Sequence, residues 1–156
     1  MILFLADAML GSLAKWLRIL GYDTRYSPTW DDHELARLAR AEGRVLLTRD
    51  EQLARRPGLR VLLVAQGDLV AQLAQVIRAY NLDVRQPFTR CPVCNVLLEE
   101  VNKTVAWGQV PPFVFKTQDV FRLCPECNRF YWRGTHWQRM QERWKALAQG
   151  DICPKT

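Results

Sequence analysis

The stretch Val45-Leu46-Leu47-Thr48-Arg49-Asp50 decides the fold: a short apolar run, too short for a helix, that ends on a basic residue and an acid. Such a run, bounded by turn signals, reads as a strand buried on both faces, which is the mark of a parallel sheet. Upstream the same design appears at residues 2–6, an apolar run followed by Asp7. Between the two runs, Leu10, Leu13, Leu17 and Leu20 recur at helical spacing, and Gly21 stands where that helix would stop. A short strand over Thr24–Tyr26 follows. Asp31 or Asp32 then caps a helix buried through Leu35, Leu38 and Ala39 and closed by Gly43. Downstream, Pro57-Gly58 breaks the chain before a strand over residues 60–65. Asp68 caps a helix with Leu69, Leu73, Val76, Ile77 and Tyr80 on its inner face. Strands alternating with helices predict an α/β domain: a parallel sheet between two helical layers.

Composition changes near residue 86. Residues 1–86 carry a net charge of +2, whereas residues 87–156 carry +4, all five cysteines and ten of the sixteen aromatics. The expected organisation is an α/β domain over 1–86 and a small module over 87–156, joined through Asn81–Arg90. Of the 22 basic residues 17 are Arg, whose planar fork suits phosphate oxygens and stacks on bases, so the +6 net charge points toward nucleic acid. No apolar run reaches the ~18 residues of a membrane span. The apolar start lacks a basic leader and is broken by Asp7 and Lys15, so it reads as a strand of a cytoplasmic protein.

Within the second part, Cys91-Pro92-Val93-Cys94-Asn95 and Cys124-Pro125-Glu126-Cys127-Asn128 repeat one pattern, with 29 residues between Cys94 and Cys124. Two residues between thiolates let each pair turn around one ion, and two such knuckles complete a tetrahedron of zinc ligands. A reducing cytoplasm argues against two disulfides in their place. Four thiolates leave no open position for water, so the zinc is structural. Cys153 has no partner and reads as a free thiol. Val110–Lys116 and Val120–Leu123 look β-prone. Thr135 caps a closing helix, with Gln138 as a possible capping-box partner and Trp137, Met140, Trp144 and Leu147 on one apolar side. Arg129 and Arg133 stand among Phe130, Tyr131 and Trp132, a mixture that suits single-stranded or looped RNA. Packing against the first domain is the competing role for these rings.

Four acids sit after strands or at helix starts: Asp7, Asp31 or Asp32, Asp50 and Asp68. In a parallel sheet those positions share the carboxyl edge, where open α/β folds bind ligands. Carboxylates gathered there would hold Mg²⁺ or Mn²⁺; helix capping alone would also put Asp at these positions.

The segments Leu5–Arg18, Gly21-Tyr22-Asp23 and Gly43–Asp50 resemble the Mut-seven C-terminal RNase family. So do Asp32–Ala39 and the Cys-Pro-x-Cys pairs with Tyr131-Trp132-Arg133-Gly134-Thr135-His136-Trp137. The resemblance covers nearly the whole chain. It implies a PIN-like nuclease fold followed by a zinc ribbon, and metal-dependent cleavage of RNA, endonucleolytic by expectation. It implies metal ligands at Asp7, Asp50 and Asp32, with adjacent Asp31 as an alternative; Asp68 matches a fourth acidic corner only loosely. Lys15 and Arg49 are candidates to neutralise charge on the phosphate. The competing readings are a non-catalytic RNA- or ribosome-binding adaptor and a small phosphohydrolase. No Asp-x-Asp pair or phosphate-cradling loop supports the phosphohydrolase, and an adaptor has no need of clustered carboxylates.

Overall fold

Side chains alternate across a strand, so a run without polar residues has to be covered on both faces. The computed structural model, which describes residues 1–152 with side chains through residue 146, shows how. Phe4–Ala6 (β1), Thr24–Tyr26 (β2), Val45–Thr48 (β3) and Arg60–Leu63 (β4) form one sheet in the order β2-β1-β3-β4, every neighbouring pair parallel. Phe4 pairs with Val45 and Ala6 with Leu47. These four side chains face helices Gly11–Ile19 (α1) and Leu69–Tyr80 (α4), joining Leu13, Leu17, Leu73 and Val76 in the larger core. Leu5 and Leu46 point the other way, to Leu35, Leu38 and Ala39 of Asp32–Glu42 (α2) and Leu53 of the short helix Glu51–Ala54 (α3). The α/β reading therefore holds, with the parallel sheet between helical layers. Gly43 ends α2 in the left-handed conformation (φ 64°), where a side chain would be strained. Strand β4 stops at Leu63, two residues short of the expected end.

At the amino edge of this sheet, buried Arg44 donates to the Phe4 carbonyl (3.0 Å), Asp23 Oδ1 (2.9 Å) and Glu42 Oε1 (2.6 Å). Burial pushes the Asp23 carboxyl up, but its hydrogen bonds from Arg44 and Asn95 outweigh that and hold it below its ordinary value.

The second part is an antiparallel sheet of Glu99–Val101 (β5), Phe121–Leu123 (β6) and Phe130–Tyr131 (β7), around the small apolar cluster Ala106, Val110 and Phe121. Val110–Lys116 is not a strand. Pro112 opens a helix, Pro112–Thr117 (α5), because its locked backbone angle is ready-made for the first helical position. Val114 and Phe115 of that helix lean on the Phe121 cluster.

The last helix, Thr135–Ile152 (α6), returns to the first unit and buries Trp137, Met140 and Trp144 in the α1/α4 core. Trp16 stacks on Trp137 (6.1 Å, 17°) and meets Trp144 edge-on (6.2 Å). Three indoles in mutual contact make this junction a substantial part of the core. Cys153 and the side chain of Leu147 lie outside the described residues.

Candidate functional site

The strand order places a switch point between β1 and β3: from β1 the chain goes to β2 on one side and later to β3 on the other. Ligands of open α/β sheets bind at the carboxyl ends of strands beside such a point. A cavity of about 670 Å³ lies there, lined from the ends of all four strands: Asp7 to Met9, Trp30 and Asp32, Arg49 to Glu51, and Leu63 to Gln66.

Asp7 follows β1 and is only 8% exposed. Its Oδ1 accepts from the Met9 backbone N–H (3.0 Å), and its Oδ2 accepts from the Thr48 hydroxyl (2.5 Å). Thr48, the fully buried last residue of β3, accepts in turn from the Asp50 N–H (3.0 Å). One hydroxyl thus ties the two acidic loops together. Asp50 caps α3 through Oδ1, which accepts from the backbone N–H groups of Gln52 (2.8 Å) and Leu53 (3.2 Å). The loop after Asp7 is clamped from β2: the Tyr26 hydroxyl donates to the Ala8 carbonyl (3.0 Å) and crosses Gly11 so closely that a Cβ there would sit 2.9 Å from it. A side chain at Gly11 would therefore displace the Tyr26 hydroxyl that holds this loop.

The two acids at the start of α2 have different surroundings. Asp31 is the N-cap, its Oδ1 accepting from the Glu34 N–H (2.8 Å), and it does not line the cavity. Asp32, one residue on, does. Asp68 caps α4, pairs with Arg143 (3.6 Å) and lies outside the lining. Arg49 lines the cavity, whereas Lys15 lines a separate cleft beside the ribbon. Sequence reasoning passed over Thr48 and Glu51; the latter lines the cavity and is exposed. Glu51 carried a findable signal, an acid directly after Asp50 at the carboxyl end of a strand. Thr48 carried none, because threonine at the end of a strand is ordinary.

Asp7, Asp32 and Asp50 offer the hard oxygen donors that Mg²⁺ and Mn²⁺ take, but their carboxylate oxygens do not all lie within 4.8 Å of one another, as the four cysteine sulfurs do. Asp50 Oδ2 and the Asp32 carboxylate make no hydrogen bond among the described residues.

The thiolate cluster stands at the opposite edge of the sheet. The sulfurs of Cys91, Cys94, Cys124 and Cys127 all lie within 4.8 Å of one another, and Cys91 and Cys127 are 3.8 Å apart. Tetrahedral Zn–S bonds of ~2.3 Å put sulfurs about that far apart, so the set fits zinc. The knuckles match bond for bond. Asn95 N–H donates to the Cys91 carbonyl (2.8 Å) and Asn128 N–H to that of Cys124 (2.9 Å). Cys94 N–H meets Cys91 Sγ and Cys127 N–H meets Cys124 Sγ, both at 3.4 Å. Asn95 and Asn128 both adopt positive φ (65° and 60°), which asparagine tolerates better than most residues. The first knuckle docks on the α/β unit. Arg18 bridges the Thr24 and Pro92 carbonyls (2.8 and 2.9 Å), and Asn95 accepts from Thr24 N–H while donating to Asp23 (2.8 Å). Burial pushes the Arg18 pKa down, while Cys91, Asp23 and Cys94 pull it up; the net shift is downward. Arg129 and Arg133 are exposed, and Arg133 lines a ribbon cavity with Arg122 and Tyr131.

The family model for the Mut7-C RNAse domain matches residues 2–144. Over 97 residues the chain is 36% identical to the exonuclease mut-7 homolog of Homo sapiens, an alignment covering 57% of this chain and 11% of that protein. Over 83 residues it is 35% identical to a DNA ligase of Zymomonas mobilis, covering 51% of this chain and 11% of the ligase. The chain thus spans about a tenth of the length of these curated relatives. No solved structure matches it.

Proposed function

The chain belongs to the Mut7-C RNAse domain family, and from that premise we propose that it is a metal-dependent ribonuclease of PIN-like fold that cuts internal phosphodiester bonds of RNA. The observation that carries the reading is the convergence of Asp7, Asp32, Asp50 and Arg49 on one cavity at the switch point of the sheet. An adaptor has no use for acids there, because they repel the RNA backbone. Asp7, Asp50 and Asp32 would hold Mg²⁺ or Mn²⁺, which supplies Lewis-acid stabilisation of a phosphate and a more acidic bound water. Asp7 is held rigidly by Met9 and Thr48, so its orientation is set before substrate arrives. Asp50, anchored through one oxygen, keeps the other for the ligand. Arg49 offsets charge that builds on the phosphate oxygens. Zinc in the four-thiolate ribbon is structural in this reading. Exposed Arg129 and Arg133 contribute phosphate contacts that carry no base identity. Thiolates kept free for zinc fit a reducing, cytoplasmic setting. Among the described residues, no helix is long and apolar enough to cross a membrane.

The test is cleavage of single-stranded RNA by purified, zinc-loaded protein with and without Mn²⁺. Asp7→Asn or Asp50→Asn should lower the rate by about a hundredfold or more, the scale on which one electrostatic stabiliser counts. RNA binding should survive both substitutions. Added Mn²⁺ should raise the Tm of the wild type and not of these variants. Full Mn²⁺-dependent activity in both variants would falsify the assignment; no cleavage under any condition, with binding intact, would favour the adaptor.

A further inference from the structure

Two neighbouring cavities share Phe88, Tyr131 and Trp132 at the seam between α1 and the ribbon. One, of about 520 Å³, carries both signs of charge, with Glu100 and Asp119 beside Arg122 and Arg133. The other, of about 280 Å³, is different in kind. Buried Trp16 and Trp137 line it along with half-buried Phe88, Tyr131 and Trp132, and no acidic residue does so among the described residues. Lys15 and His136, both exposed, also line it. Its volume lies below the ~300–1,000 Å³ of sites for drug-sized ligands, so it suits one flat ring system.

We infer that this cleft is a subsite for one unstacked base of single-stranded RNA, with Lys15 and His136 meeting the phosphates on either side. The inference rests on the ribonuclease reading above and deepens it by naming the form of RNA. Aromatic faces accept any base, and a cation and a hydrogen-bond donor beside them hold the backbone, which is the usual pairing in single-strand recognition. Packing explains Trp16 and Trp137, which are nearly sealed. Phe88, Tyr131 and Trp132 pack too, Phe88 on Trp137, Tyr131 on Phe88 and Trp132 on Phe121, yet each keeps part of its surface on the open space. The absence of acids in the lining fits a polyanion better than a protein partner of mixed charge. Position agrees too. Lys15 stands about 6 Å along α1 from Gly11, which follows directly on the Asp7 loop, so a strand lying along α1 reaches from cleft to carboxylates. A duplex cannot supply the ligand, because its bases are stacked inside.

The experiment uses the zinc-loaded full chain without added divalent metal, and a short oligoribonucleotide with one 2-aminopurine in an otherwise single-stranded context. Binding should quench the probe as it enters the aromatic cleft. His136→Ala and Trp132→Leu should each weaken binding by about tenfold, and Trp132→Phe should restore most of it. An abasic site at the probe position should cost a similar factor. Because Trp132 also packs in the ribbon, zinc content checks its variants; if Trp132→Leu loses zinc, His136→Ala decides. Unquenched probe, unchanged binding in His136→Ala, or equal competition by duplex RNA would each overturn the cleft. Since nothing is cut in this assay, quenching by a protein that never cleaves RNA sinks the nuclease reading alone. Normal cleavage with unquenched probe sinks the cleft alone.

Discussion

In the α/β unit the carboxylates stand on a scaffold that is complete without a metal: a sheet buried on both faces, two helical layers, and loops held by Thr48 and Tyr26. In the ribbon the order is reversed. Its apolar cluster has three buried residues, and the four thiolates are the point on which both knuckles turn. A metal at the first site would be held by a fold that already exists, whereas a metal at the second would supply part of the energy that makes the fold. The two regions also face apart. The thiolate knuckle is tied to the amino edge of the sheet through Asp23, Thr24 and Arg18, while the acids occupy the carboxyl edge. Four thiolates around a zinc would leave it no open position for chemistry, and this placement agrees.

The sharpest way to break the comparison is to remove the zinc. The purified chain should carry about one zinc, and Cys94→Ser should abolish it together with the order of β5, β6 and β7. Structural zinc contributes apparent binding energies of ~10–16 kcal/mol in small modules, far more than three buried residues provide. Amide exchange should show the ribbon opening while β1 and β3 stay protected. Four freely titrating thiols in a folded wild type would refute the contrast.

Trp144→Ala tests whether the final helix serves the α/β unit. Although residue 144 follows the ribbon, the loss should be about 3–5 kcal/mol and should appear in protection of β1 and β3. An unchanged α/β unit would mean that α6 belongs energetically to the ribbon. Thr48→Val is a smaller step, expected to cost about 1–3 kcal/mol because Asp7 Oδ2 and the Asp50 N–H both lose their buried partner. Thermal melts should also show a weaker response to Mn²⁺, and Thr48→Ser should restore it. A Thr48→Val protein with the full Mn²⁺ response would show that the hydroxyl does not position the acids.

The smallest effect is a pH dependence at the docking seam. The Asp23 carboxyl is held below its ordinary value in the folded state, so its contribution is complete above its unfolded pKa of about 3.9. That contribution fades as pH falls from there toward the folded pKa. Asn95→Ala, which removes one of the two partners, should flatten the acid limb of the stability curve. An identical acid limb in the variant would leave Asp23 without that role.

The long periodic segments were legible because burial dictates their pattern: the apolar runs at residues 2–6 and 45–48, and the helical spacing of Leu10, Leu13 and Leu17. Short elements were not. Helix α3 is four residues long, too few for any periodicity to show. Val110–Lys116 looks β-prone by residue type, and Pro112 at a helix start outweighs that local preference.

Sequence by itself determined which four cysteines form a metal-binding set, because two residues between cysteines is a local geometric requirement repeated in each knuckle. It also determined that acids would lie on one edge of a parallel sheet, because every strand-to-helix connection of the same sense ends there. Tertiary structure decided which of those acids line one cavity. Asp31 and Asp32 are adjacent in sequence, yet one is spent on a backbone N–H and the other lines the cavity, since consecutive residues of a helix start point in different directions. It also decided that Thr48 joins Asp7 to Asp50, that Asn95 reaches Asp23, and that α6 returns to the first core. Those contacts join residues far apart in the chain, and packing alone brings such residues together.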